Sequence, residues 1–188
     1  IYTLSLHDAL PIWSALEERI VAYLAGILTA EGTTREQSGQ VSRLMHTAAD
    51  VEHIGDYCKN IAELGEERKK NHYVLSDTAC AEIYECFDQI LRMLKNTRTA
   101  LEQGDWRTAQ WVLKQEQEMN RMEQWLRNQH MKRLSDSICS PASTVIYTEV
   151  VHNIEKIGDC CTNIAESVLD QHFVPQERRE TVGQMAEV

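Results

Sequence analysis

The chain is predicted to be all-helical: tandem three-helix bundles in which the first helix of the first bundle is missing. Three observations predict this. No window alternates apolar and polar residues with the period of two that a half-buried strand requires. Apolar residues recur instead at spacings of three and four, which gives one buried face per helix. The stretch 51–63, VEHIGDYCKNIAE, also returns 103 residues later as 154–166, IEKIGDCCTNIAE. The copies differ only at Val51/Ile154, His53/Lys156, Tyr57/Cys160 and Lys59/Thr162, so they read as one supersecondary unit used twice.

Residues 1–12 are set apart first, because 3–12, TLSLHDALPI, resembles one reading frame of a common sequencing adapter. They are expected to be foreign to the fold, with the natural amino terminus lying elsewhere. Trp13, Leu16, Ile20, Tyr23 and Ile27 then follow a three-four rhythm that predicts a helix over about 13–28, ended by Glu31-Gly32. Thr34 followed by Gln37 is a capping-box start. It opens a long second helix through Val41, Leu44, Ala48 and the first repeat copy to about Lys70. Ser76, with Asp77 behind it, caps a third helix, whose expected seam is Ile83, Phe87, Ile90, Leu94 and Leu101. Gly104 stops it and Asp105 caps the fourth, about 106–134, with Val112, Met119, Met122 and Leu126 inward and Glu116 and Asn120 beside them. Ser140-Pro141 opens the fifth helix, which carries the second copy and fades near Phe173. The predicted organisation is therefore 13–72 as an incomplete first repeat, 73–173 as a complete second repeat, and 174–188 as a polar tail.

Composition limits the function. The 188 residues are 43% hydrophobic and 26% charged, enough for a real core, and 29 acidic against 19 basic residues give a net charge of −10. A nucleic-acid partner is excluded on this reading, since a binding face needs a Lys/Arg stripe. The longest basic cluster, Arg68, Lys69 and Lys70, suits a helix end instead. The six cysteines contain no C-x-x-C and several fall on apolar faces, so they are expected to be reduced core residues. Cys160 and Cys161, neighbours on a helix, point about 100° apart, which argues against both joining His152 on a soft metal. No run approaches the roughly 20 apolar residues that span a bilayer, and the chain as given is expected to be soluble.

Each repeat carries chemistry beside its seam. Val51, Ile54, Cys58 and Ile61 form the apolar line of the first copy, and Glu52 and Asp56 are four apart, one turn or roughly 6 Å along the axis. Two stacked acids repel each other, and His53 and Lys59 point elsewhere, so a cation or a basic partner is expected there. Glu155 and Asp159 repeat the pair. Gly55 and Gly158 are expected at close helix contacts, where a missing Cβ lets helices approach.

Both copies resemble the E-R-I-G-D-x-A-x-N-I-A-E signature of PhoU domains. His130, Arg133, Leu134, the turn Cys139-Ser140-Pro141 and Asn153 further resemble the cytoplasmic PhoU-like domain of sodium-dependent phosphate cotransporters. The resemblance covers about 13–173 and implies two tandem three-helix bundles with a multinuclear iron or zinc site made by acid-x-x-x-Asp motifs. Its implied metal ligands are Glu52, Asp56, Glu116, Glu155 and Asp159. The sequence departs from the pattern at Asn120 and Ser14, each of which removes an anionic ligand. The implied function is non-catalytic: a regulatory domain, cytoplasmic and tethered to the inner membrane, that modulates phosphate uptake through contact with a membrane phosphate carrier and that is compatible with a homo-oligomer. The alternatives are a free-standing PhoU-type regulator and a di-metal carboxylate enzyme. The enzyme reading needs Glu-x-x-His ligand motifs. Glu149 and His152 supply one, but the first copy has His46 and Ala49 at the matching places.

Overall fold

The computed structural model describes residues 6–30 and 32–172. They form five helices: α1 (Leu6–Leu28), α2 (Arg35–Lys70), α3 (Asp77–Gln103), α4 (Trp106–Ser135) and α5 (Pro141–His172), with no strand among the described residues. The starts of α2 to α5 are each fixed by a side chain that satisfies amides the helix cannot. Thr34 and Gln37 close both halves of a capping box at α2. Ser76 accepts the Ala79 amide at 3.2 Å, Asp105 accepts the amides of Arg107 and Thr108, and Ser140 accepts that of Ser143 at 3.1 Å. Gly104 ends α3 in the left-handed region, φ 64°, where a Cβ would be strained.

One boundary differs from the sequence reading. α1 begins at Leu6, so residues 6–12 of the segment set aside as foreign join the helix expected to start at Trp13. Pro11 lies inside it and has no amide proton to bond back to the preceding turn. Residues 1–5 and the expected polar tail 174–188 lie outside the described residues.

The helices assemble around α5, which packs against α2, α3 and α4, whereas α1 packs on α2 alone among the described residues. α2 and α5 run antiparallel, as their pairings show: Thr47 meets Ser167 at 3.3 Å, Asn163 donates to Asp50 at 3.0 Å and Asn60 donates to Asn153 at 3.1 Å. The last two bonds exchange under the 103-residue offset. The helix pair is thus a pseudo-twofold joint between the two repeats, which the shared sequence requires of a self-complementary face.

The contiguous core belongs to the second repeat, where Ile90, Met93, Val112, Met119, Leu126, Tyr147, Ile154 and Cys161 are all buried. On α3 the buried line is Ala79, Cys86, Ile90, Met93 and Ala100. It is rotated from the expected seam, because α3 must face α4 and α5 together; Ile83, Phe87 and Leu94 pack at its flank, and Leu101 is exposed. A polar cluster is sealed into one end of this core. Glu82 on α3 receives two bonds from Arg133 on α4, at 2.8 and 2.6 Å, and one from the Tyr147 hydroxyl on α5 at 2.6 Å. His130 stacks on Tyr147 with ring centroids 4.0 Å apart. Arg133 donates to His130 Nδ1 at 3.2 Å, which leaves the proton of the neutral ring on Nε2, 3.7 Å from the Cys139 sulfur. Three helices and the α4–α5 turn are locked by one set of charge-assisted bonds.

Among the described residues the first repeat has no such closure. Leu44 is 46% exposed where its counterpart Tyr147 is 0%, and Val51 is half-buried where Ile154 is 0% exposed. Met45 and its counterpart Thr148 are both half-buried. Trp13, Leu16 and Ile20 of α1 are also exposed. An apolar groove of about 500 Å³ runs beside α2, lined by Val51, Ile54, Gly55 and Cys58 with Leu94 and Leu101 of α3.

Candidate functional site

The acid-x-x-x-Asp pairs sit where the sequence put them, one turn apart on α2 and α5, but their surroundings differ. On α2, Glu52 is half-buried and accepts the Ser14 hydroxyl of α1 at 3.1 Å, while Asp56 is exposed. Ser14, where the resemblance predicts an acid, therefore does face Glu52, and it supplies a donor instead of a second carboxylate. On α5 the neutralising group lies inside the copy itself, at the position where the first copy has His53. Lys156 donates to Asp159 at 2.7 Å and lies 3.3 Å from Glu155. Burial, and then the nearby Asp159, raise the Glu155 carboxyl above its ordinary range. Its bond to Asp159 holds the Lys156 ammonium up at about 12. One ammonium is thus shared by two acids, the arrangement that costs least when like charges stack.

Glu116 is not gathered with them. Its carboxylate accepts the side-chain amide of Asn120 one turn on, and among the described residues Glu116, Glu155 and Asp159 do not form a three-ligand group. The Asn120 Oδ1 is buried without a partner, which suits one cation or water beside α4. A multinuclear cluster needs more converging carboxylates than this arrangement offers. The Glu-x-x-His pair of the enzyme reading fares no better, since Glu149 is exposed and His152 turns to Glu155 at 3.8 Å.

The two glycines are not equivalent. A Cβ on Gly158 would lie 3.8 Å from Ile90, Met93 and Met119, so this buried glycine faces α3 and α4. Gly55 instead lines the apolar groove.

One gathering escaped the sequence reading. Asp50 and His53 of α2 and Cys160 of α5 bring a carboxylate oxygen, an imidazole nitrogen and a thiol within 4.8 Å of one another. Along its own helix Cys160 has Cys161 and His152 as candidate companions. Its actual neighbours come from the facing helix, and only the antiparallel register of α2 on α5 reveals them.

Comparisons with known proteins agree with this architecture. A profile of the family described as the PhoU domain matches residues 13–65 and 83–168. The phosphate-specific transport system accessory protein PhoU homolog 1 of Thermotoga maritima is 24% identical over 138 residues, 71% of this chain and 57% of the relative's own length. In three dimensions the chain is similar to PhoU from Pseudomonas aeruginosa, with a TM-score of 0.81 and 17% identity over 87% of this chain and 78% of that one. It is also similar to the phosphate transport system regulatory protein PhoU from Streptococcus pneumoniae, with a TM-score of 0.76 and 16% identity over 90% of this chain and 78% of that one. These two likenesses concern the fold. With the family profile matched over well more than half of the sequence and both repeat copies inside the match, the chain belongs to the PhoU domain family.

Proposed function

We propose that the chain regulates phosphate transport by contact with a transport protein and carries out no chemistry of its own. The observation that carries this is the pair of acidic faces, Glu52/Asp56 and Glu155/Asp159, repeated on a family scaffold whose named relative is a phosphate-transport accessory protein. A regulator of this kind works only if it binds one state of its partner better than another, and a tenfold change in transport takes about 1.4 kcal/mol of differential binding.

Two placements are consistent with the sequence. The cotransporter-like marks around His130, Arg133 and Cys139 support a cytoplasmic domain joined to a sodium-dependent carrier. The printed descriptions of the relatives support a free-standing accessory protein at least as well. No helix among the described residues is long and apolar enough to cross a membrane. A divalent iron or zinc ion on the second face is the other element of the proposal. Glu155 and Asp159 would hold it in place of Lys156, and the bound ion would add positive charge to an otherwise anionic contact surface.

The test is phosphate uptake in cells that carry the full-length parent, the parent without this domain, and the parent with all four acids changed to alanine. Deletion and the four-acid variant are both expected to change uptake and its response to external phosphate. Unchanged uptake on deletion defeats the regulatory reading. A deletion effect that the four-acid variant does not share moves the contact surface elsewhere on the bundle.

A further inference from the structure

The pseudo-twofold joint between α2 and α5 offers an internal comparison. Around it, every residue of one half has a counterpart 103 positions away in the other. Asp50, His53, Cys160 and Asn163 on one side correspond to Asn153, Lys156, Tyr57 and Asn60 on the other. The asparagine partners are preserved, for Asn163 donates to Asp50 at 3.0 Å and Asn60 donates to Asn153 at 3.1 Å. What differs is ligand character. One side presents a carboxylate, an imidazole and a thiol within 4.8 Å of one another, and the other presents an amide, an ammonium and a phenol, none of which is an ordinary ligand for a divalent ion. His53/Lys156 and Tyr57/Cys160 are two of only four positions at which the repeated 13-residue stretches diverge. The backbone positions are the same on both sides, so the fold by itself does not impose the donor set.

From this asymmetry we infer that Asp50, His53 and Cys160 form a binding site for one divalent ion of the zinc class, bridging the two repeats. The donors select the metal. A thiolate with an imidazole disfavours magnesium and calcium, which take oxygen ligands, and suits zinc, which accepts sulfur, nitrogen and oxygen together. Bonds of about 2.0 to 2.3 Å in a tetrahedron set ligands about 3.5 Å apart. The trio therefore needs only a modest closing movement, which the exposed His53 side chain is free to make. Supporting groups are already in place, since Asn163 orients the Asp50 carboxylate as an outer partner should and Cys160 is held buried on α5. The fourth position opens on a cavity of about 340 Å³ that Asp50 and His53 line together with His46 and Glu166, so solvent completes the tetrahedron. Binding exchanges the thiol proton for the metal ion, the proton leaving to solvent, with no change in oxidation state. Because the ligands come from both repeats, occupancy fastens the α2–α5 joint.

The site is distinct from the acid-x-x-x-Asp faces, and so is its test. Chelator-stripped protein is titrated with Co²⁺, whose thiolate charge-transfer absorption and tetrahedral d–d bands report sulfur ligation, and Zn²⁺ is then added to displace it. The whole chain should show a one-to-one thiolate–cobalt band, lost in Cys160→Ser. Affinity for Zn²⁺ should fall on the order of tenfold or more in His53→Gln and in Asp50→Asn. His53 is exposed, so His53→Gln retains the fold, which an unchanged circular dichroism spectrum verifies. Zn²⁺ should also raise the melting temperature of the parent more than that of His53→Gln, the difference reporting this site alone. The double change Glu155→Ala with Asp159→Ala should keep the cobalt band, and so should Lys156→Gln. The assignment is overturned if the parent gives no thiolate band, if the band survives Cys160→Ser, if His53→Gln binds as tightly as the parent, or if the band vanishes with Glu155 and Asp159.

Discussion

Replacing Glu82 by glutamine tests whether the sealed polar cluster holds the second repeat together. The change keeps the side chain's shape and one acceptor oxygen, but it removes the charge that faces Arg133 across bonds of 2.8 and 2.6 Å. The side chains of the pair are only 15% and 10% exposed, so water compensates poorly for the lost partner. Removing one member of a buried ion pair typically costs about 3 to 5 kcal/mol. About 3 kcal/mol is expected here, because glutamine still accepts one bond, from Arg133 or from the Tyr147 hydroxyl. Burial opposes ionisation of Glu82, yet the bonds from Arg133 and Tyr147 outweigh it and hold the carboxyl below its ordinary value. A carboxyl depressed in the folded state adds stability that is full above its unfolded pKa and is lost as pH falls toward the folded one. Urea unfolding followed by circular dichroism at pH 7, and again at a series of pH values below 4.5, should show two things. Glu82→Gln should unfold well before the parent at neutral pH, and the gap should narrow as the parent's own Glu82 protonates. A double change, Glu82→Leu with Arg133→Met, should recover most of the loss, since it leaves no buried charge alone. A Glu82→Gln protein within about 0.5 kcal/mol of the parent at pH 7 would be an ordinary surface result, and it would refute the claim that this cluster locks the three helices.

Other outcomes follow from particular contacts. Gly158→Leu should lower stability by about 1 to 3 kcal/mol through overpacking against Ile90, Met93 and Met119, whereas Gly158→Ala, whose Cβ meets them at an ordinary 3.8 Å, should match or exceed the parent in a thermal melt. A melt for Gly158→Leu equal to the parent's would remove the close contact from the argument. His130 is buried and, for that reason first and Arg133 second, is held below its ordinary pKa. Its contribution is therefore present above about 6.5 and lost as pH falls, and His130→Gln should flatten that part of the stability profile. Metal measured by elemental analysis should fall in Glu155→Ala with Asp159→Ala if the second acidic face takes an ion, and equal content in parent and variant would exclude these ligands. Burial pushes the thiols of Cys86 and Cys161 up to about 12 and about 11, so alkylation of the native protein at pH 7 should spare both; rapid labelling of either one would contradict the packing described.

Local order was legible from the sequence. Helix starts at Thr34, Ser76, Asp105 and Ser140 could be read because a cap acts on amides two or three residues away. The α3 stop at Gly104 depends on the conformation of that single residue. The repeat, and the acids it stacks one turn apart, follow from spacing along one helix. The start of α1 was less legible, since a resemblance of residues 3–12 to a translated adapter says nothing of whether residues 6–12 belong to the helix.

Those local features share one physical basis. Helix class, caps, the twofold repeat and the Glu52/Asp56 and Glu155/Asp159 pairs are set by interactions within a turn or two of the chain, so the sequence alone determined them. Tertiary structure decided which faces meet. Glu82 finds Arg133 and Tyr147 across 51 and 65 residues of chain, Lys156 settles between the two acids of the second copy, and Gly158 turns into the core while Gly55 borders an open groove. Asp50, His53 and Cys160 likewise meet only because α2 and α5 cross antiparallel in one register. Spacing along a helix fixes where a side chain points about its own axis, but its partner depends on the packing of other helices, which no single segment encodes.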